Sequence, residues 1–320
     1  MSSPTVRRTD FRYRIGLNFR TIIGRAYPRV IGANREPSWM LFEVFLPLLG
    51  IAAYVFIYQS FYSAQVAAIQ AGTCGVSPCG SAAEQLAALR AAAQNLNALV
   101  ATVVLGGTMV AFWLNVLWSM ASQLYWEKEI GNLQLYMMAP MNRMALLGGM
   151  AVGGMFMTSV RALSTLVAGI VVFGVIFQVA NPFMLLAVFF VTLTALYGMG
   201  MMFASLYLLW GREAWNLSAL MEEPIFFSSG MYFPAGGLFL VPTWGPAVAI
   251  AGSLVPATLG LDALRQLTLP GTAPLPLLPP VTELEILLGL AVLFLILARY
   301  TLAYLEMLAK REGKLTSRHQ

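Results

Sequence analysis

From Leu99 to Tyr125, and again from Phe183 to Trp210, the chain runs without a single charged residue. A helix rises about 1.5 Å per residue, so roughly 20 apolar residues cross the ~30 Å hydrocarbon core of a bilayer. Lipid offers unpaired backbone groups no partner, and a helix satisfies its own. Each run is therefore long enough to span. Composition points the same way, because 59% hydrophobic residues with only 10% charged leaves too little polar surface for a water-soluble domain of 320 residues. Mean hydropathy is +0.74. The chain reads as an all-α integral membrane protein in contact with lipid. A net charge of +5 raises nucleic acid as a partner, but eight of the nineteen basic residues lie in the first 35 positions. That clustering is an orientation signal, and no nucleic acid is expected.

The lead Met1–Asp10 is polar, and the first long apolar run begins only at Trp39, so no secretory signal is expected. Between them Phe11, Ile15, Phe19, Ile22, Ala26 and Val30 recur at helical spacing among Arg12, Arg14, Arg20, Arg25 and Arg29. This predicts an amphipathic helix in the headgroup plane over residues 1–38, with a solvated basic arm as the alternative, and Pro28 breaks or bends it. Residues 39–308 form the transmembrane domain and 309–320 a cytoplasmic tail.

Six spans are expected. The first, Trp39–Tyr62, contains Glu43, which either reaches the interface or serves a path. An external loop, 63–97, carries Cys74 and Cys79 and turns helical from Ala82. In Cys74-Gly-Val-Ser-Pro-Cys79 the glycine and proline favour a turn that brings the sulfurs together on an oxidising side, which predicts a disulfide. With His319 the only histidine, no metal site is expected. Span two, Leu99–Trp126, delivers the polar-and-apolar insert Trp126–Arg143. Span three, Leu146–Phe177, starts with Gly148, Gly149, Gly153 and Gly154, a small-residue pattern for close packing within the chain or between copies. Arg161 inside it lines a wet cavity, pairs with a carboxylate, or marks a later start. Phe183–Trp210 is span four. Trp215–Pro234 is span five, with Glu222 and Glu223 about 100° apart on a helix, so that they cannot share a face. From 226 to 265 glycines and prolines leave no room for an unbroken span, which predicts a re-entrant external segment. Glu283–Leu308 is span six. Basic residues on the loops place both termini in the cytoplasm of a multi-pass cell-membrane protein.

The insert has the spacing Glu127-Lys-Glu129-x-Gly131-x-Leu133 with Pro140 at its end, and it resembles the cytoplasmic coupling helix of ABC-2-type (type V fold) ATP-binding-cassette exporter permeases. Asn132, Gln134 and Ala139 depart from residues more usual there. Phe226–Pro234 resembles the end of that family's fifth span, and Pro256, Ala263, Leu264 and Arg265 match its following stretch. The resemblance implies a permease subunit exporting an amphipathic substrate such as a drug, lipid or glycoconjugate. It implies a homodimer bound to two copies of a separate P-loop ATPase. Glu127, Glu129, Gly131, Leu133, Leu135, Met138 and Pro140 would dock the ATPase. Asn115, Ser119, Ser122, Asn216 and Glu223 would line a path between protomers, and Phe226, Phe227, Met231, Tyr232 and Phe233 would gate it externally.

No cofactor is expected in this chain, and ATP and Mg would sit in the partner ATPase. The only Gly-Lys pair, Gly313-Lys314, is followed by Leu315 and lacks the preceding glycine of a P-loop. No nucleophile elbow or zinc-protease motif occurs, so catalysis in this chain is not expected. The rival reading is an ion-coupled secondary transporter or channel that uses Glu43, Arg161, Glu222 and Glu223.

Overall fold

A computed structural model describes residues 11–34, 37–75, 77–139, 141–210 and 213–311. Pro140, Arg212, the side chain of Glu43 and the tail from residue 312 lie outside the described residues. The described chain is almost wholly helical: α1 Phe11–Asn34, α2 Pro37–Gln70, α3 Ala82–Leu114, α4 Gln123–Ile130, α5 Asn132–Met138, α6 Arg143–Val171, α7 Pro182–Trp210, α8 Ala214–Ser228, α9 Gly245–Ser253, α10 Pro256–Thr268 and α11 Pro280–Arg311. Among the described residues four helical stretches are long and apolar enough to cross a membrane: Ala82–Ile130, Arg143–Val171, Pro182–Tyr207 and Pro280–Leu308. The pair α9 and α10, bent by 95°, is a fifth candidate. α8, with 15 residues, rises only about 22 Å and meets no such length.

α3 starts at Ala82, where helix is expected within the loop 63–97, and α2 runs on to Gln70, eight residues past the expected end of the first span. Only residues 71–81 separate α2 from α3, and they hold a two-residue hairpin, β1 Thr73–Cys74 against β2 Ser77–Pro78. Cys74 and Cys79 are bonded across it, as the turn chemistry predicts. Ser81 then caps α3, its hydroxyl accepting from the Glu84 amide at 3.2 Å, while the Glu84 carboxylate accepts from the Gly80 amide at 2.7 Å. Two orphan donors at the helix start are thereby satisfied.

α6 ends at Val171, six residues before the expected limit of span three. Gly174 turns with φ +67°, and an irregular segment follows instead of helix. Its amides at Gln178 and Ala180 donate to the carbonyls of Thr268 and Leu267 at the end of α10, at 2.9 and 3.0 Å. The Asn97 side chain grips Ile176 through both its amide and its carbonyl. Non-helical backbone is thus partnered throughout its contact with α3 and α10.

α7 and α11 pack along each other, and α10 wedges against α3, α7 and α11, buried along nearly its whole length. The largest fully buried side chains include Trp113 on α3 and Tyr197 and Tyr207 on α7. They anchor the main core.

α1 differs from expectation in two ways. It continues through Pro28, which costs the bond to the Gly24 carbonyl without ending the helix. Its apolar stripe also divides. Phe11, Ile15, Phe19 and Ile23 stay exposed, as an interfacial helix requires, while Ile22 and Ala26 turn onto the glycine run of α6. A Cβ built on Gly149 would lie 2.7 Å from the Ile22 carbonyl oxygen and 2.8 Å from Arg25 Cβ. The small-residue pattern therefore serves close packing within the chain. Helices that approach this closely gain dispersion contacts that larger residues would prevent.

Gly149→Ala should therefore force α1 off α6 and lower the thermal midpoint of the detergent-solubilised protein by several degrees, overpacking costing about 1–3 kcal/mol. Gly16→Ala, on a face of α1 with nothing within 4 Å of the new Cβ, should leave the midpoint unchanged or slightly raised.

Candidate functional site

The insert folds as two short helices hinged at Gly131, whose φ of +89° ends α4 and starts α5. A side chain there would strain this left-handed turn. Arg25 of α1 reaches across to it. Its guanidinium pairs with Glu127, donates to Gln123 Oε1 at 3.2 Å and sits 5.9 Å from the Tyr136 ring centroid. Glu127 also accepts from Asn132 at 3.1 Å, so one carboxylate ties α1, α4 and α5 together. Burial, with Glu127 reinforcing and Arg25 opposing, pushes the Tyr136 phenol above its ordinary value. It stays protonated at neutral pH.

This arrangement corrects two expectations about the insert. Glu127 is 7% exposed and Leu133 2%, so both face inward. Their polar and apolar capacity is consumed in seating the insert against α1 and the core. The outward face is made by Trp126, Ile130, Leu135 and Met138, the last two 61% and 75% exposed, with Glu129 half-buried at its edge. An eight-residue helix and a seven-residue helix thus expose four large apolar side chains.

Between α3 and α4 the helix opens into a π turn, Asn115–Met120, with the Ala121 amide donating to the Val116 carbonyl. The additional residue rotates everything after it by about 100° relative to a regular helix. Asn115, Ser119 and Ser122 consequently do not line a common path. Asn115 accepts from the Tyr197 hydroxyl at 2.9 Å, Ser119 accepts from Arg29, and buried Ser122 donates to the Trp118 carbonyl at 2.6 Å. Each is satisfied inside the bundle. Trp118 is the residue that faces outward, and its indole N–H donates to Glu222 on α8 at 2.8 Å. Glu223 and Asn216 are exposed on the same short helix, and Trp215 packs against Tyr125 and Trp126 at 6.1 and 5.9 Å between centroids. A polar-aromatic face thus joins the end of α3 to α8.

The segment after α8 is held by Arg265 of α10. Its buried guanidinium donates to three carbonyls, Thr102 at 3.0 Å, Met231 at 3.1 Å and Phe233 at 3.2 Å. Gly106 of α3 makes room, since a Cβ there would lie 1.5 Å from the Met231 oxygen. Tyr58 donates to the Tyr232 carbonyl at 3.2 Å, and Tyr54 stacks on the Tyr232 ring at 4.3 Å. Phe226 meets Tyr232 edge-on at 6.2 Å, while Phe227, half exposed, packs on Phe233 and Trp244. Of the five expected gate residues, Met231 is fully buried and belongs to the core.

Among the described residues no group of three His, Cys, Asp or Glu side chains is placed to hold a metal ion. Sequence reading missed Trp118, which looks like one more apolar residue in an uncharged run, and the roles of Arg25 and Arg265. No local signal betrays these partners, which lie between 32 and 163 residues away. Compared with known proteins, the chain matches no family model and no curated sequence.

Replacing Arg265 with Met removes the donor while keeping apolar bulk, and leaves the carbonyls of Met231 and Phe233 short of a partner at about 1–3 kcal/mol each. The thermal midpoint should fall. A cysteine at Met231, inert to thiol reagents in the parent protein, should label several-fold faster in the Arg265→Met background.

Proposed function

We propose that this chain is the membrane subunit of an ATP-binding-cassette exporter of the ABC-2 type, active as a homodimer with two copies of a separate P-loop ATPase that binds ATP and Mg. The observation that carries this reading is the insert α4–α5, held on one side by Glu127 paired with Arg25 of α1 and by Leu133 buried in the core, while Ile130, Leu135 and Met138 are exposed and Glu129 is half-buried. A helical pair rigidly backed by the membrane bundle and apolar on its free side suits insertion into a groove on a soluble partner. Motion of the ATPase would then pass directly to α3, which continues from α4 through the π turn, and through Arg25 to α1 and α6.

In this reading α2, α3, α6, α7 and α11 cross the cell membrane, and the short α8 completes a sixth crossing only together with the chain that follows it to Pro234. Residues 229–268 re-enter from the external side, and both termini lie in the cytoplasm. The face shared by the end of α3 and α8 would bound the path between protomers, with Asn216 and Glu223 kept in it and Trp118 taking the place first assigned to Asn115, Ser119 and Ser122. Its mixture of aromatic rings and carboxylates suits an amphipathic substrate moved outward.

The chain purified with an affinity tag from its native cells should carry a P-loop ATPase in roughly equal amount. Leu135→Glu with Met138→Glu should reduce that recovery at least tenfold without lowering the thermal midpoint, whereas Glu127→Gln should lower the midpoint. Protein without an ATPase that nevertheless drives flux along an imposed proton or sodium gradient would replace this reading with an ion-coupled transporter. Cysteine at Phe227 should crosslink between protomers, while cysteine at Met231 should not.

A further inference from the structure

One cavity lies away from the α3–α8 face. It has a volume of about 910 Å³ and lies between the first turns of α1, the start of α6 and the second half of α11. Its charged lining is three arginines, Arg14, Arg143 and Arg299, against one carboxylate, Glu306. Arg143 is already paired with Glu306 at 2.6 Å. Arg14 and Arg299 make no ion pair among the described residues, so the cavity carries a net surplus of positive charge.

Depth identifies what can enter. Along α11 the lining runs from Glu306 to Leu295, eleven residues, or about 17 Å of helix rise. The end near Glu306 is polar, and the end near Leu295 lies at the middle of a helix long and apolar enough to cross the bilayer. Leu17, Met144, Leu295 and Leu302 supply the apolar lining, and along α11 Arg299 lies between Leu295 and Leu302. A protein loop reaching that depth would take unpaired backbone into hydrocarbon. A phospholipid meets both demands, placing an anionic phosphate between guanidiniums and acyl chain against the leucines. An arginine at that depth also needs a counter-anion, because an unpaired charge facing hydrocarbon is costly.

We infer that this cavity is a binding site for the phosphate of an anionic phospholipid, held by Arg14 and Arg299, at the α1 end of the bundle. Arginine suits the role because its planar fork donates two hydrogen bonds to phosphate oxygens, which an ammonium cannot do in a fixed geometry. Glu306 serves by holding Arg143 to one side, so that the two free guanidiniums define the headgroup position. The site does not depend on the exporter reading, since it uses residues on α1, α6 and α11 alone.

The test is thermal unfolding of the full chain in a neutral detergent with added phosphatidylglycerol, phosphatidylcholine or soluble glycerol phosphate. Phosphatidylglycerol should raise the midpoint saturably and the other two should not. Arg14→Gln with Arg299→Gln should start from the same midpoint in detergent alone and need at least tenfold more phosphatidylglycerol for half the shift, consistent with about 1 kcal/mol per basic residue near an anionic lipid. Arg90→Gln, a charge change on exposed α3 far from the cavity in the fold, should behave as the parent. If the double variant unfolds prematurely, Arg14→Lys and Arg299→Lys, which keep charge but lose the fork, should each weaken the response. An equal shift with phosphatidylcholine, an unchanged response in every arginine variant, or a full shift with glycerol phosphate alone would overturn the lipid site.

Discussion

A single buried guanidinium holds the least regular part of this molecule. Between α8 and α10 the backbone leaves the helical path, and in an apolar surrounding each carbonyl released from a helix needs a donor. Arg265 supplies donors to three of them from one planar group. Gly106 lets the turn approach α3 closely enough for those bonds to form, and Tyr58 and Tyr54 close the turn from α2. Four elements that are distant in sequence therefore meet at residues 231–233. A lysine could not do this, because its compact ammonium lacks the width to reach carbonyls on two sides.

The opposite end of the bundle is organised by a second arginine. Arg25 lies where α1 crosses the glycines of α6, and from there it reaches the insert that follows α3. α1 is thus the brace that orients α4 and α5. Between the two ends runs the stretch Ala82–Ile130, 49 residues and about 73 Å long by its rise, more than twice the hydrocarbon thickness. It connects the disulfide hairpin to the insert, with the π turn as its one irregularity. The insert is linked to the α3–α8 face as well as to α1, because the π turn bears Trp118 and Trp118 is bonded to Glu222.

The helix positions were largely legible in the sequence, and the reason is periodicity and punctuation. α7 begins at Pro182, one residue before the expected limit, and ends at Trp210 as expected, since Asn181-Pro182 forms a cap whose chemistry is local. The Cys74–Cys79 bond was legible because its loop is five residues long. The side-chain roles were less so. Glu127 and Leu133 looked outward-facing because a polar-and-apolar insert gives no sign of which face is already occupied, and Asn115, Ser119 and Ser122 looked collinear because a regular helix would have made them so.

What the sequence by itself determined is the class of molecule. Long uncharged runs force helices in lipid, basic residues gather on a few segments, and the spacing of glycine and proline prevents a regular span between α8 and α10. What only the tertiary structure decided is which polar groups are consumed internally and which are left to act. That choice depends on partners up to 163 residues apart, and a buried donor or acceptor takes whichever partner the packing of helices brings within about 3 Å. Hence Arg265, Arg25 and Glu127 became structural, and Glu223, Leu135 and Met138 remained exposed.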